Sequence, residues 1–160
     1  GIGKNMENEI LNLNKYLYKP KKPVIALIGG SKMETKIGAI KNLIKYCNCL
    51  VLGGGIANTF LKSRKINIGK SIWEKNQISI AKKIEKKALE NNCKIILPID
   101  VVVSDNSKNK DVNDVKKNEK IYDIGENSLK IILKKIDTSK TIIWSGPLGF
   151  FEKKPYYCYK

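Results

Sequence analysis

The chain contains 160 residues, 42% of them apolar, which is enough for one globular domain with an ordinary core. The formal net charge is +16, but Arg64 is the single arginine among 31 basic residues, and scattered lysines argue against a specific nucleic-acid-binding protein. There is no histidine, no C-x-x-C pair among the four cysteines and no membrane-length apolar run, so we expect a soluble, cytoplasmic protein with reduced thiols and no Cys/His zinc site.

The first half of the chain alternates between helical and extended patterns. Its short continuous apolar runs are typical of strands buried on both faces of a parallel sheet. A glycine pair directly follows the apolar run at residues 24–28, and a glycine triplet directly follows the run at residues 49–52. The sequence predicts helices at residues 6–17, 33–44 and 53–62, and strands at residues 24–28 and 49–52.

The second half continues this alternation. A lysine-rich amphipathic helix is predicted for residues 76–90, and two short apolar runs follow it. Residues 104–120 are polar and are interpreted as a surface excursion. A helix at residues 127–136 and a buried strand at residues 141–144 complete the pattern. Strand and helix alternating this often predict an α/β sheet with right-handed crossovers.

Three glycine-rich loops are expected at the carboxyl ends of predicted strands, at residues 29–32, 53–55 and 145–149. In open α/β sheets, ligands bind beyond this edge. Glycine lets the backbone approach a ligand closely, and the N-terminus of a following helix attracts an anion such as phosphate. A single loop of this kind is more often a tight turn, but three at equivalent strand ends favour a phosphate site.

Two common nucleotide-binding motifs are excluded. Residues 68–71 resemble the end of a Walker A loop, but Arg64 occupies the position of its first glycine and no strand precedes it. Residues 53–55 begin like a dinucleotide-binding fingerprint, but Asn58 replaces its last glycine. The sequence therefore supports neither a P-loop ATPase nor a Rossmann dehydrogenase.

Lys32 and Lys36 follow the first glycine loop, one helical turn apart, so both can face the same anion. Their spacing alone leaves open that they are two solvated lysines among many. Phosphoryl transfer gives such residues a use, because its transition state spreads negative charge that a fixed cation beside backbone donors stabilises.

Several segments resemble phosphoglycerate kinases of bacterial type, and they follow one another in the order of that family. The second half carries sequences similar to the family's L-P-x-D-V-x, D-I-G and W-N-G-P-x-G-x-F-E motifs. The resemblance covers nearly the whole chain. The similar segments are residues 19–32, 53–61, 68–71, 97–102, 123–125 and 144–152.

The resemblance implies a Rossmann-like, three-layer domain with a parallel sheet flanked by helices and incomplete at the C-terminal end. It implies that residues 1–20 are an interdomain-type helix and connection, and that residues 21–160 are part of the C-terminal, nucleotide-binding domain. The implied activity is glycolytic phosphoryl transfer between Mg-ATP or Mg-ADP and 3-phosphoglycerate or 1,3-bisphosphoglycerate. We expect the parent protein to be a monomer with no specific nucleic-acid partner and no membrane partner.

Two parts of the family's machinery have no counterpart in these 160 residues. One is the basic N-terminal domain that binds phosphoglycerate, and the other is a G-G-G-D segment whose aspartate serves Mg²⁺. We therefore expect no metal ligand in this chain and no turnover by the chain alone. Phosphoglycerate kinases work by closing two domains around an in-line transfer.

The same resemblance implies roles for individual residues. Lys32 would stabilise the transferring phosphoryl group, and Lys36 would contact the nucleotide phosphates. Pro147 would form part of the adenosine pocket wall, and Glu152 would accept hydrogen bonds from the ribose hydroxyls. The glycine-loop surface around the nucleotide would consist of Gly30, Ser31, Gly53 and Gly54.

The chain departs from the family pattern at two positions. Ser145 stands where the family usually has asparagine, which shortens a side chain that would reach the nucleotide phosphates. Thr35 stands where many members have aspartate. An alternative function is a degenerate nucleotide-binding module without turnover, and a third is a basic nucleic-acid-binding protein whose affinity falls steeply with salt.

Overall fold

The computed structural model describes residues 19–103 and 108–149. The helix predicted at residues 6–17 and the predicted site residue Glu152 lie outside the described residues. The described strands are β1 (Val24–Ile28), β2 (Cys49–Leu52), β3 (Lys94–Ile96), β4 (Asp100–Val103), β5 (Lys108–Asp111), β6 (Ile121–Ile124) and β7 (Thr141–Ser145). The described α-helices are α1 (Ile37–Leu43), α2 (Gly54–Ser63), α3 (Ile78–Glu90) and α4 (Glu126–Asp137).

The main sheet has four parallel strands in the order β3-β2-β1-β7. Ile25 of β1 lies opposite Cys49 of β2 on one side and opposite Ile142 of β7 on the other. Because the strands are parallel, all of their carboxyl ends meet at one edge of the sheet. The predicted α/β class with a parallel sheet is confirmed.

Strand β1 forms the centre of the structure, since all five of its residues are apolar and buried. Successive side chains of a strand point to opposite faces, so the strand contributes to two cores. Val24, Ala26 and Ile28 belong to the larger core, which α1, α2 and α3 cover. Ile25 and Leu27 belong to the second core, to which α4 contributes. The sheet therefore lies between two helical layers, as predicted.

A second, antiparallel sheet with the order β5-β4-β6 was not predicted. Strand β5 lies inside residues 104–120, so the predicted surface excursion contains a strand that the sequence did not indicate, although most of its described residues are exposed. The sequence Lys-Asn-Lys-Asp of β5 has no apolar alternation, and three of its four residues are exposed. Its pairing rests on the backbone ladder to β4, which a hydrophobic pattern does not reveal.

Asp100, at the start of β4, joins the second sheet to α4. Its Oδ1 accepts hydrogen bonds from Ser128 N at 2.7 Å and from the Ser128 hydroxyl at 2.5 Å, and its Oδ2 accepts one from Asn127 N at 2.9 Å. The first N–H groups of a helix have no intrahelical partner, so this carboxylate caps α4 from another element. Burial opposes ionisation of Asp100, but hydrogen bonds from Ser128, Asn127 and Asn109 outweigh it and hold its pKa below the ordinary value.

Candidate functional site

The three glycine loops meet at the carboxyl edge of the main sheet. Gly29 N donates to Ser145 O at 2.9 Å, which ties the first loop to the third. Gly54 N donates to Leu148 O at 3.0 Å, which ties the second loop to the third. Ile56 N donates to Gly30 O at 3.2 Å, which ties α2 to the first loop. The loops thus form one connected backbone surface.

Close packing between these loops accounts for several of the glycines. A Cβ on Gly29 would lie 1.8 Å from Pro147 O, and a Cβ on Gly53 would lie 2.7 Å from the Cα of Leu148. Gly54 has a φ of +62°, which favours glycine, and begins α2. The glycines at positions 29 and 53 are therefore required by the contact of the loops themselves, whatever ligand binds.

Lys36 lies between the first and third loops. Its Nζ donates to Gly29 O at 2.7 Å, and it would lie 2.6 Å from a Cβ placed on Gly146. Burial lowers the pKa of Lys36, since desolvation penalises its charged form. The ammonium group therefore binds the first loop and lies close to Gly146 of the third loop, and an ammonium group carries three N–H donors in all.

Lys32 differs from Lys36 in its surroundings. Its side chain is exposed and forms no hydrogen bond or ion pair with another described residue. Its carbonyl oxygen accepts a hydrogen bond from the Thr35 hydroxyl at 3.0 Å, which fixes the backbone. Lys32 thus presents an uncommitted cation on a fixed backbone beside the first glycine loop.

A cleft of about 470 Å³ opens beside these loops, a volume within the usual range of small-molecule sites. Four predicted site residues line it, namely Gly30, Ser31, Gly54 and Pro147. Lys32, Lys36 and Gly53 are outside its lining. The rest of the wall is mostly apolar and comes from α2, the segment after it, the second sheet, the residues just before β4 and β6, and the third loop: Gly55, Ala57, Asn58, Ile72, Pro98, Val101, Lys120, Ile121, Tyr122, Asp123, Ile124, Leu148 and Gly149.

Sequence reasoning missed the wall that β6 forms. Tyr122 and Asp123 both line the cleft, and the Lys120 ammonium lies 5.6 Å from the centre of the Tyr122 ring. Tyr122 and Asp123 follow a polar segment, and the four residues of β6 show no alternation of apolar and polar side chains. No local sequence pattern therefore predicted that they line the cleft. The D-I-G resemblance marked residues 123–125 without indicating that they face a cleft.

Asp123 is a buried carboxyl group in this wall. It accepts a hydrogen bond from Ile124 N at 2.7 Å, and its Oδ1 would lie 2.0 Å from a Cβ placed on Gly149. Burial raises the pKa of Asp123 to about 6, and the Ile124 hydrogen bond offsets only part of this effect. Perturbed carboxyl groups of this kind are found preferentially in functional clefts.

The described residues form neither a metal-binding cluster nor a membrane-spanning helix. No group of three or more Cys, Asp or Glu side chains there is arranged to hold a metal ion. None of the helices in residues 19–103 and 108–149 is both long and apolar enough to cross a membrane.

The fold and the cleft together define an open α/β protein in which glycine loops and lysines lie beyond the carboxyl ends of parallel strands. The family model for phosphoglycerate kinase matches residues 1–158. The chain is 41% identical to phosphoglycerate kinase of Xanthobacter flavus and 42% identical to that of Mesorhizobium japonicum, and both matches cover 96% of this chain. The chain therefore belongs to the phosphoglycerate kinase family.

A solved structure supports the same assignment. Phosphoglycerate kinase from Coxiella burnetii matches with a TM-score of 0.89 and 38% identity, covering 96% of this chain and 41% of that one. The chain spans about 40% of the length of the curated relatives named above. The α/β architecture with its parallel sheet is thus the fold of the corresponding part of a phosphoglycerate kinase.

Proposed function

We propose that this chain provides most of the nucleotide site of a phosphoglycerate kinase. The parent protein would transfer a phosphoryl group between Mg-ATP or Mg-ADP and 3-phosphoglycerate or 1,3-bisphosphoglycerate. The observation that carries the proposal is the meeting of three glycine loops and Lys36 beside a cleft of about 470 Å³, in a chain of this family. We further propose that the parent acts as a cytoplasmic monomer without a specific nucleic-acid partner.

The phosphate end of the nucleotide would lie at the glycine loops. Lys36 would contact the nucleotide phosphates. The negative charge of the phosphates would favour the charged form of Lys36 and so offset the desolvation that lowers its pKa. The exposed Lys32 would stabilise the charge on the transferring phosphoryl group. The loop surface would consist of Gly30, Ser31, Gly53 and Gly54.

The base and ribose would lie toward the apolar end of the cleft. Pro147, its neighbour Leu148 and the aromatic side chain of Tyr122 all line the cleft and would form the wall around the base. Glu152 would accept hydrogen bonds from the ribose hydroxyls. A mostly apolar cleft beside glycine loops and Lys36 matches the polarity of a nucleoside diphosphate.

The chain by itself is expected to bind nucleotide without turnover. Phosphoryl transfer requires the acceptor to meet the nucleotide in line in a closed site, and the resemblance gives the acceptor to a separate domain. A protein that includes that domain should turn over, and Lys32→Ala should abolish its activity. Normal activity of that variant would contradict the role given to Lys32, and a complete protein without turnover would favour the degenerate module.

Calorimetric titration with Mg-ADP at moderate salt tests the nucleotide site directly. The native chain should bind saturably, and Lys36→Ala should weaken binding by about tenfold because a charge-assisted contact to phosphate is lost. Lys86→Ala, which changes an exposed lysine of α3, is the matched control and should bind like the native chain. A folded native chain that does not bind Mg-ADP would contradict the proposal.

A further inference from the structure

Glu74 reaches the first glycine loop from a distant part of the sequence. It immediately precedes the 3-10 turn Lys75–Gln77, which leads into α3. Its Oε2 accepts hydrogen bonds from Met33 N at 2.5 Å and from Glu34 N at 3.2 Å, 41 and 40 residues away in sequence. A single carboxylate oxygen thus holds two consecutive backbone N–H groups.

Those two N–H groups directly follow Lys32. They introduce the 3-10 turn Glu34–Lys36, which has no side-chain cap of its own. The first N–H groups of a helical turn lack internal partners, so Glu74 supplies the missing acceptor. Met33 is fully buried and anchors the same position through its side chain. The backbone that carries Lys32 is therefore fixed by one core side chain and one carboxylate.

The backbone of Glu74 is tied to the second glycine loop. Glu74 N donates to the Thr59 hydroxyl oxygen at 3.1 Å, and that hydroxyl donates to Gly55 O at 3.0 Å in the first turn of α2. Thr59 is completely buried, so water does not compete for these bonds. A continuous hydrogen-bonded path therefore runs from the start of α2 through Glu74 to the residues after Lys32.

We propose that Glu74 is a positioning residue that sets the Lys32 backbone against the start of α2, so that the phosphate end of the site is formed before the ligand arrives. This inference rests on the proposed nucleotide-binding function. Preorganised donors and cations bind an anion more tightly because no ordering of the backbone is needed on binding.

Positioning by Glu74 and the negative charge of Glu74 predict opposite effects of its removal on anion binding. A carboxylate near a phosphate site repels the ligand, so removing its charge should strengthen binding if Glu74 acted only through its field. Glu74→Gln removes the charge and keeps a side-chain oxygen that can accept from Met33 N. Glu74→Ala removes both the charge and the acceptor. The two variants therefore separate positioning from electrostatics.

The test is a titration of the native chain, Glu74→Ala and Glu74→Gln with Mg-ADP and with adenosine. Glu74→Ala should weaken Mg-ADP binding by about tenfold, since two N–H groups lose their acceptor, and should leave adenosine binding unchanged. Glu74→Gln should stay within about threefold of the native chain. Glu85→Ala, which removes the same charge from the ion pair with Arg64, is the control and should have no effect.

Other results would overturn the inference. Stronger Mg-ADP binding by both variants would show that Glu74 acts by charge, and equal weakening of Mg-ADP and adenosine binding would show a general loss of structure. Hydrogen exchange of the ligand-free chain adds a readout that needs no nucleotide: the amides of Met33 and Glu34 should exchange faster in Glu74→Ala than in Glu74→Gln. Equal exchange rates would contradict positioning, whereas a native chain that fails to bind Mg-ADP would contradict the proposed function itself.

Discussion

Asp100 and Asp123 are two carboxyl groups on paired strands, and they are almost equally buried, with 3% and 4% of their surfaces exposed. Asp100 accepts hydrogen bonds from the first turn of α4 and has a pKa below its ordinary value. Asp123 accepts one from Ile124 N and has a pKa raised to about 6. The exposed fraction alone therefore does not decide the state of a carboxyl group. Burial raises the pKa of Asp123, which has one compensating donor, whereas several donors outweigh burial at Asp100, the structural cap.

The largest effect on stability is expected when Asp100, the carboxylate that caps α4, is removed. Asp100→Ala should lower the free energy of unfolding by about 3 kcal/mol, because the N–H groups of Asn127 and Ser128 and the Ser128 hydroxyl lose a buried acceptor. Urea unfolding at pH 7 measures this difference. Asp111→Ala, at the exposed end of β5, is a control that loses only a local turn contact and should cost less than 1 kcal/mol. Similar losses in the two variants would contradict the capping role.

A milder substitution should make the pKa of Asp100 more like that of Asp123, by removing one hydrogen-bond donor. Ser128→Ala removes the hydroxyl that donates to Asp100 and should cost about 1 to 2 kcal/mol. It should also raise the pKa of Asp100, because burial opposes ionisation while one compensating donor is lost. Carbon-13 NMR titration of the Asp100 carboxyl group follows this pKa. An unchanged pKa would show that the backbone donors alone determine it.

The pH dependence of stability should have opposite signs for the two groups. The contribution of Asp100 is present above the pKa of the unfolded chain and is lost as pH falls through its lowered folded value. That of Asp123 is present below the ordinary value of 3.8 and is lost as pH rises through about 6, because the folded state favours the neutral acid.

Replacing Asp123 tests that sign. Asp123→Asn keeps the shape of the side chain without the charge and should stabilise the chain at pH 7 by at most about 3 kcal/mol, because the rise of the pKa from 3.8 to about 6 sets the upper limit. The gain should disappear at pH 4, where the native Asp123 is already protonated in the folded state. Urea unfolding at the two pH values provides the measurement. A destabilised variant at pH 7 would mean that the ionised form is needed for the fold.

The sequence was informative where local patterns determine structure. Strands β1 and β2 are continuous apolar runs ended by glycines, and their positions were confirmed. Strand β5 was missed because its polar residues pair only through the backbone. The roles of Lys32 and Lys36 stay predictions, since their geometry beside the loops does not by itself establish a ligand.

Contacts between distant residues account for the rest of what the sequence did not reveal. Glu74 holds residues about 40 positions earlier, and Asp100 caps a helix that begins 26 residues later. Neither relation leaves a periodic signal, because a hydrogen bond between separate elements depends on how they pack. Family resemblance marked Asp100 as part of a motif without showing which N–H groups it would bind.

The pairing of β1 with both β2 and β7 also has a consequence for how the chain folds during synthesis. Strand β2 follows β1 closely and can pair with it as soon as both have left the ribosome, whereas β7 is the last described strand to be made. Until then the second edge of the most apolar strand has unpaired backbone groups, which can pair with another nascent chain. While the intervening residues are translated, that edge of β1 is thus open to pairing with other chains.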